Sequence, residues 1–282
     1  MTRTMVVAEP GCTHEGDVEK LVALVDVAAD AGCDAFKGQF TSDPELLAAR
    51  RSAPEYLPFY QWLRYPVSWH ARLAERCAQR GIAYAVTVYL PGDVAQVDPW
   101  TTFYKVSSFE AGATDLLKAI YTFALNNQKR IVVSLGLGAQ APAPPPDLAE
   151  RLTLLRCVSA YPTPLEDLQL GRIKGNGLDG LSDHTPAAQE DALNVGALAV
   201  AAGATWIERH IRLENCRPEN PDYPVSLGSH QLTEYVRRIR VAEQARGDGK
   251  SVSRAEKSEE PMLRHRADPA KKPASKKGES AE

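Results

Sequence analysis

Short apolar runs rich in β-branched residues alternate along this chain with longer stretches of helical apolar spacing, from Met5 to about Arg246. The runs at residues 5–8, 35–39, 83–89, 103–106, 130–134, 153–158, 178–182 and 205–209 predict eight strands. Most are continuously apolar, as strands buried on both faces of a parallel sheet must be. Between them, residues 17–31 place Val18, Leu21, Val22, Val25 and Ala29 on one helical face before Gly32 stops the turn. Residues 67–80, 114–126, 164–174, 187–202 and 231–246 predict further helices. Two helical positions are weak. Residues 91–98 are few, and AQAPAPPPDLAERL carries four prolines, leaving room for little more than one turn. Eight βα units in this length predict a (β/α)8 TIM barrel with a weakened fifth helix, whereas a doubly wound sheet would usually use fewer strands.

Composition changes at Gly247, where Lys, Ser, Glu and Pro replace large apolar side chains, so residues 247–282 read as a disordered charged tail after a catalytic domain over 1–246. The barrel segment holds 24 basic against 29 acidic residues, which gives no basic surface for nucleic acid or membrane. Five scattered cysteines without a C-x-x-C pair suit a reducing compartment. With no apolar stretch of signal or spanning length, the expectation is a soluble cytoplasmic protein.

In a TIM barrel the carboxyl ends of the strands build the site, so the polar residues closing each run are the candidates. They are Glu9, Lys37, Gln39, Thr87, Lys105, Ser108, Glu110, Ser134, Ser159, Tyr161, Ser182, Asp183, His184, Glu208 and His210. Lys37 and Lys105, with the hydroxyls of Thr87, Ser108, Ser134 and Ser182, suit a ligand carrying both phosphate and carboxylate. His184 and His210, on adjacent strands, offer two imidazoles to one metal, with Asp183 and Glu208 beside them as supporting partners. His14 either lines the pocket or braces its turn, and His70, His230 and His265 read as surface residues. Taken singly, each lysine or histidine is more simply a rim charge or a structural residue; the agreement of all eight strand ends favours a site.

These segments resemble the sialic acid synthase (N-acetylneuraminate synthase) family. AEPGCTHEG followed by KGQF is similar to its A-E-I-G-x-N-H-x-G and K-x-Q, YKVSSFE to Y-K-I-x-S-x-E, and CVSAYPTPLED to C-T-x-x-Y-P-T-P-x-E-D. GLSDHT and ATWIERHIRL resemble G-x-S-D-H-T and V-I-E-[KR]-H-F-T, in family order. The resemblance implies metal-dependent condensation of phosphoenolpyruvate with an amino-sugar aldehyde, giving a nonulosonic acid and phosphate. It implies Mn2+ or Mg2+ on His184 and His210. Phosphoenolpyruvate would lie on Lys37, Lys105, Thr87, Ser108, Ser134 and Ser182, with Glu110 nearby. Glu9, Gln39, Tyr161 and Asp222 would contact the sugar or move protons.

Three departures fall on the sugar side. VTVY replaces S-T-P-F after strand three, Thr13 replaces the Asn before His14, and RPENPD is one residue longer than R-P-G-P-D. The resemblance covers the barrel only. The family's C-terminal antifreeze-like domain, which lends an arginine across a dimer, has no counterpart in these 282 residues. Either a different acceptor, or a partner in the form of a homodimer or a separately encoded subunit, is therefore expected. The alternatives are an octulosonate- or heptulosonate-phosphate type synthase, whose second phosphate needs basic residues not identifiable here, and a non-catalytic barrel that binds a pathway partner.

Overall fold

The computed structural model describes residues 3–140, 142–248 and 255. Eight parallel strands, β1 (Met5–Glu9), β2 (Ala35–Phe40), β3 (Ala83–Val88), β4 (Phe103–Val106), β5 (Arg130–Leu135), β6 (Leu152–Cys157), β7 (Gly180–Asp183) and β8 (Trp206–His210), close into a barrel in chain order. β8 returns to β1 in a register that sets Glu9 beside His210. The expected TIM barrel is the observed fold, each strand lying within two residues of its sequence-based limits.

The helices are α1 (Val18–Asp30), α2 (Pro44–Arg50), α3 (Leu57–Trp62), α4 (Val67–Arg80), α5 (Val94–Val97), α6 (Thr114–Asn126), α7 (Arg172–Gly175), α8 (Val195–Ala201) and α9 (Ser229–Arg246). Asp17 caps α1 by accepting the Glu19 N–H. Where the fifth barrel helix belongs, the proline run gives only a 3-10 turn at Pro146–Arg151, as its composition requires. Residues 164–174 do not form the expected helix. A 3-10 turn at Leu165–Asp167 is cut off by Gln169, whose φ is 48°, and only the single turn of α7 follows. Two short helices, α2 and α3, escaped the periodicity reading because neither spans two full turns. The expected tail beyond Gly247 lies, apart from Gly247, Asp248 and Ala255, outside the described residues.

Alternation along the strands sorts side chains inward and outward. Outward residues such as Val6, Ala8, Phe36, Val86, Val133, Leu181 and Ile207 pack beneath the helices in the main core. Inward residues stack in layers. The lowest complete layer, Val7, Ala35, Ala85, Phe103, Val132, Leu155 and Trp206, fills the lumen, with Phe103 set edge-on to Trp206 at 5.2 Å. In the ring directly above this floor every inward side chain except Cys157 is polar. Among the described residues no helix is long and apolar enough to cross a membrane.

Candidate active site

One step above the floor, alternation brings Glu9, Lys37, Thr87, Lys105, Ser134, Cys157, Ser182 and Glu208 into one ring, each 6% exposed or less. Lys37 Nζ contacts the Glu9 carboxylate and donates to Thr87 Oγ1 at 2.6 Å. Two strands on, Lys105 Nζ donates to Ser134 Oγ at 2.8 Å and lies 3.6 Å from Glu208 Oε1, which also accepts from Ser182 at 3.1 Å. Two ammonium groups are thus buried, each against its own carboxylate. Burial pushes Lys37 down to about 7, with Glu208 and Asp222 opposing and Lys105 adding to the drop. Contact with Glu9 also works against burial, so the pair is best described as ammonium with carboxylate. Burial alone would raise Glu208, but Lys105, Lys37 and His184 hold it below the ordinary value.

Above this ring His184 and His210 face each other with ring centroids 5.3 Å apart, and the Tyr161 ring lies 4.1 Å from that of His184. Burial pushes His184 down to about 4 and His210 well below 6.5, so both rings are neutral and keep a lone pair at pH 7. His184 Nδ1 lies 3.3 Å from the Val158 carbonyl, which assigns the proton to Nδ1 and the lone pair to Nε2. His210 Nδ1 is buried without a partner. No group of three or more His, Cys, Asp or Glu side chains able to hold a metal occurs among the described residues. The donor set that does occur, two neutral imidazoles with one orphaned nitrogen, fits a divalent ion that completes its shell with water or substrate oxygens.

Asp222 arrives from the loop after β8. Its Oδ2 accepts the Cys12 N–H at 2.7 Å, and burial raises its carboxyl above the ordinary value. Gly11, at φ +52°, makes this approach possible: a Cβ there would sit 2.1 Å from Asp222 Oδ2 and 3.1 Å from His210 Nδ1. Glu9 Oε1 accepts from Gly11 N at 2.8 Å and from Gln39 Nε2 at 3.0 Å, while Tyr89 donates its hydroxyl proton to Gln39 Oε1. Ser108 and Ser159 share a hydrogen bond of 2.7 Å on the β6 side.

The structure brings most of the sequence-derived candidates to one mouth. Glu110 turns instead toward Arg51, which forms an ion pair with it beneath the rings of Tyr60, Tyr89 and Phe109. Asp183 is not beside the imidazoles as expected. It points outward, ion-paired at 2.8 Å with the fully buried Arg209 and accepting from Tyr235 at 2.8 Å, because odd positions of β7 and β8 face the helices. Glu208 lies near enough to His184 to interact with it electrostatically, but its direct partners are Lys105 and Ser182, and it makes no hydrogen bond to either histidine. His14 is buried edge-on to Tyr65, bracing its turn by accepting the Gly16 N–H. His70, expected at the surface, is fully buried and hydrogen-bonded to Tyr84 at 2.7 Å. It shares the inner face of α4 with Leu73 and Cys77, a spacing that could have identified it.

Two residues were missed altogether. Arg51 sits in a polar stretch without a motif. Asn220, buried, belongs to the lengthened RPENPD segment: its Oδ1 accepts from Asp222 N at 3.0 Å and its Nδ2 donates to the Cys12 carbonyl at 2.9 Å.

The sequence profile of the NeuB family matches residues 24–251. The chain is 29% identical to a pseudaminic acid synthase of Campylobacter jejuni, covering 88% of this chain and 76% of that one. It is 27% identical to an N,N'-diacetyllegionaminic acid synthase of the same species, covering 92% and 82%. In three dimensions it is similar to the N-acetylneuraminic acid synthetase of Leptospira borgpetersenii, with a TM-score of 0.78 at 22% identity over 94% of this chain and 92% of that one. Since the profile runs through seven of the eight strands and carries both lysines and both histidines with it, the chain belongs to the NeuB family.

Proposed function

We propose that this protein condenses phosphoenolpyruvate with an amino-sugar aldehyde to give a nonulosonic acid and inorganic phosphate. The observation that carries the reading is the pair of buried ammonium groups in one ring of the lumen, Lys37 against Glu9 and Lys105 against Glu208. Buried charges are costly to keep unless a ligand uses them. A small ligand with phosphate at one end and carboxylate at the other would take Lys37 and Lys105 together, with Thr87, Ser108, Ser134 and Ser182 donating to its oxygens.

A divalent ion, Mn2+ or Mg2+, would be held by His184 and His210 and would supply Lewis-acid polarisation of the aldehyde oxygen. In the overall reaction C3 of phosphoenolpyruvate bonds to the aldehyde carbon, the aldehyde oxygen gains a proton, water adds at C2 and loses one, and the C2–O bond to phosphate breaks. Asp222 and Glu9 are the carboxyl groups facing this space that would exchange those protons, Asp222 being the more readily protonated because burial raises it. Gln39 and Tyr161 would orient the acceptor. Glu110, neutralised by Arg51, would shape the entrance from the β4 side.

The test is phosphate release from phosphoenolpyruvate with Mn2+ and a panel of 2-acetamido sugars. Turnover that disappears in His184→Ala and His210→Ala is expected. Silence across a broad panel, or turnover indifferent to both substitutions, would overturn the reading.

A further inference from the structure

The Gln39 side chain is held from two sides. Its Nε2 donates to Glu9 Oε1 at 3.0 Å, and its Oε1 accepts the Tyr89 hydroxyl proton. Glu9, ion-paired with Lys37, only accepts, so the amide nitrogen must face it; the reversed amide would set an oxygen against the carboxylate. Gln39 is only partly buried, and the last torsion of a glutamine is broad when left to itself. These two bonds therefore settle which way the amide points. Burial pushes the Tyr89 phenol well above its ordinary value, with Arg51 pulling the other way, so the hydroxyl keeps its proton and donates it.

Tyr89 is placed by a separate set of contacts. Its ring is buried 5.1 Å from the guanidinium carbon of Arg51, as close as the rings of Tyr60 and Phe109. The donors of Arg51 go elsewhere: Nη1 to the Tyr60 hydroxyl at 3.2 Å and Nε to Glu110 Oε1 at 2.8 Å. Leu47, Ala48 and Leu63 pack with Tyr60 and Tyr89 in one apolar cluster. The ring serves this packing, and the hydroxyl takes no part in it. VTVY ends in Tyr89 where S-T-P-F ends in Phe, which adds a hydroxyl to the same ring. Tyr89 thus acts on Glu9 only through Gln39, while Gly11 N shares Glu9 Oε1 and Lys37 takes Oε2.

Resting on the condensation reading above, we propose that Tyr89 is a positioning residue for the acceptor: its hydroxyl holds the Gln39 amide with oxygen turned to Tyr89 and nitrogen to Glu9, so that Gln39 meets the sugar in one fixed orientation. The contribution is preorganisation of Gln39, and it leaves the phosphoenolpyruvate contacts of Lys37 and Lys105 untouched.

Two measurements test it. In protein isotope-labelled at its glutamine side chains, the Gln39 amide resonance, identified by its loss in Gln39→Met, should report a rigid group in the parent and a mobile one in Tyr89→Phe. Tyr60→Phe alters the same cage without touching Gln39 and should leave that amide rigid. In phosphate-release kinetics Tyr89→Phe should raise KM for a 2-acetamido sugar by about 3- to 10-fold, the loss of one neutral hydrogen bond, with KM for phosphoenolpyruvate as in the parent. Placed on Gln39→Met, the same substitution should raise the acceptor KM no further. A Gln39 amide already mobile in the parent or still rigid in Tyr89→Phe would overturn the proposal. So would an unchanged acceptor KM, an equal rise in both KM values, or a full effect on the Gln39→Met background. A parent that releases no phosphate with any sugar would count against the condensation reading instead, and the resonance comparison would still decide whether Tyr89 holds Gln39.

Discussion

Replacing Lys37 with methionine separates what the buried pair does for folding from what it does for binding. In the native lumen Glu9 is 1% exposed; its Oε1 takes the Gly11 and Gln39 donors, whereas Oε2 has no partner other than the Lys37 ammonium. Lys37→Met therefore leaves one buried carboxylate oxygen uncompensated, at a cost of about 3–5 kcal/mol, the upper part of which is relieved if Glu9 takes up a proton. Glu9→Gln added to Lys37→Met removes the charge and should recover most of that loss. Phosphoenolpyruvate behaves differently. A lost charge-assisted hydrogen bond is worth roughly 1.5–3 kcal/mol, or about a 10- to 150-fold weaker Kd, and neutralising Glu9 cannot supply the missing cation. Urea denaturation followed by circular dichroism should show the double variant close to the parent, while calorimetry shows both variants weakened for phosphoenolpyruvate. If Lys37→Met lost less than about 1 kcal/mol, or if the double variant regained affinity for phosphoenolpyruvate, the account of Lys37 as the counter-charge of Glu9 would be wrong.

His70 and Gly11 offer two more tests. Burial pushes His70 down to about 3, so between pH 6.5 and 3 the unfolded chain binds a proton that the folded chain refuses. Its contribution is fully present above pH 6.5 and is lost as pH falls, by ~1.4 kcal/mol per unit across that window. His70→Gln should flatten the pH dependence of the urea midpoint between pH 6 and 4 by close to one proton, and an unchanged slope would contradict the burial argument. Gly11→Ala adds about 1–2 kcal/mol of left-handed backbone cost and drives a methyl into Asp222. Acceptor kcat/KM should consequently fall by far more than thermal stability does, so wild-type turnover in this variant would show that Asp222 need not lie where Gly11 admits it.

The lumen was the most legible part of the molecule. A period of two along eight apolar runs carries Lys37, Lys105, Ser134, Ser182, Glu208 and His210 inward once any one of them is placed there. The same parity, applied to β7 and β8, would have turned Asp183 and Arg209 outward; grouping Asp183 with His184 by adjacency ignored it. Helices longer than two turns were readable from their apolar stripes, but residues 164–174 were not, because a left-handed Gln169 leaves no trace in hydropathy. Arg51 and Asn220 lay beyond reach for a different reason. Each acts on partners 59 and 208 positions away, Glu110 and Cys12, and such pairings exist only once the barrel has closed.

The floor of seven side chains centred on Phe103 and Trp206 makes the lumen a vessel with one opening. Whatever reaches the lysines must pass the imidazoles, Tyr161 and the rim first, and a sugar seated against Asp222, as proposed, would stand in that passage. On the proposed reaction, loading would be directional: the small dianion would descend before the acceptor stoppers the neck, and the bottom of the vessel would empty only after the larger product had left.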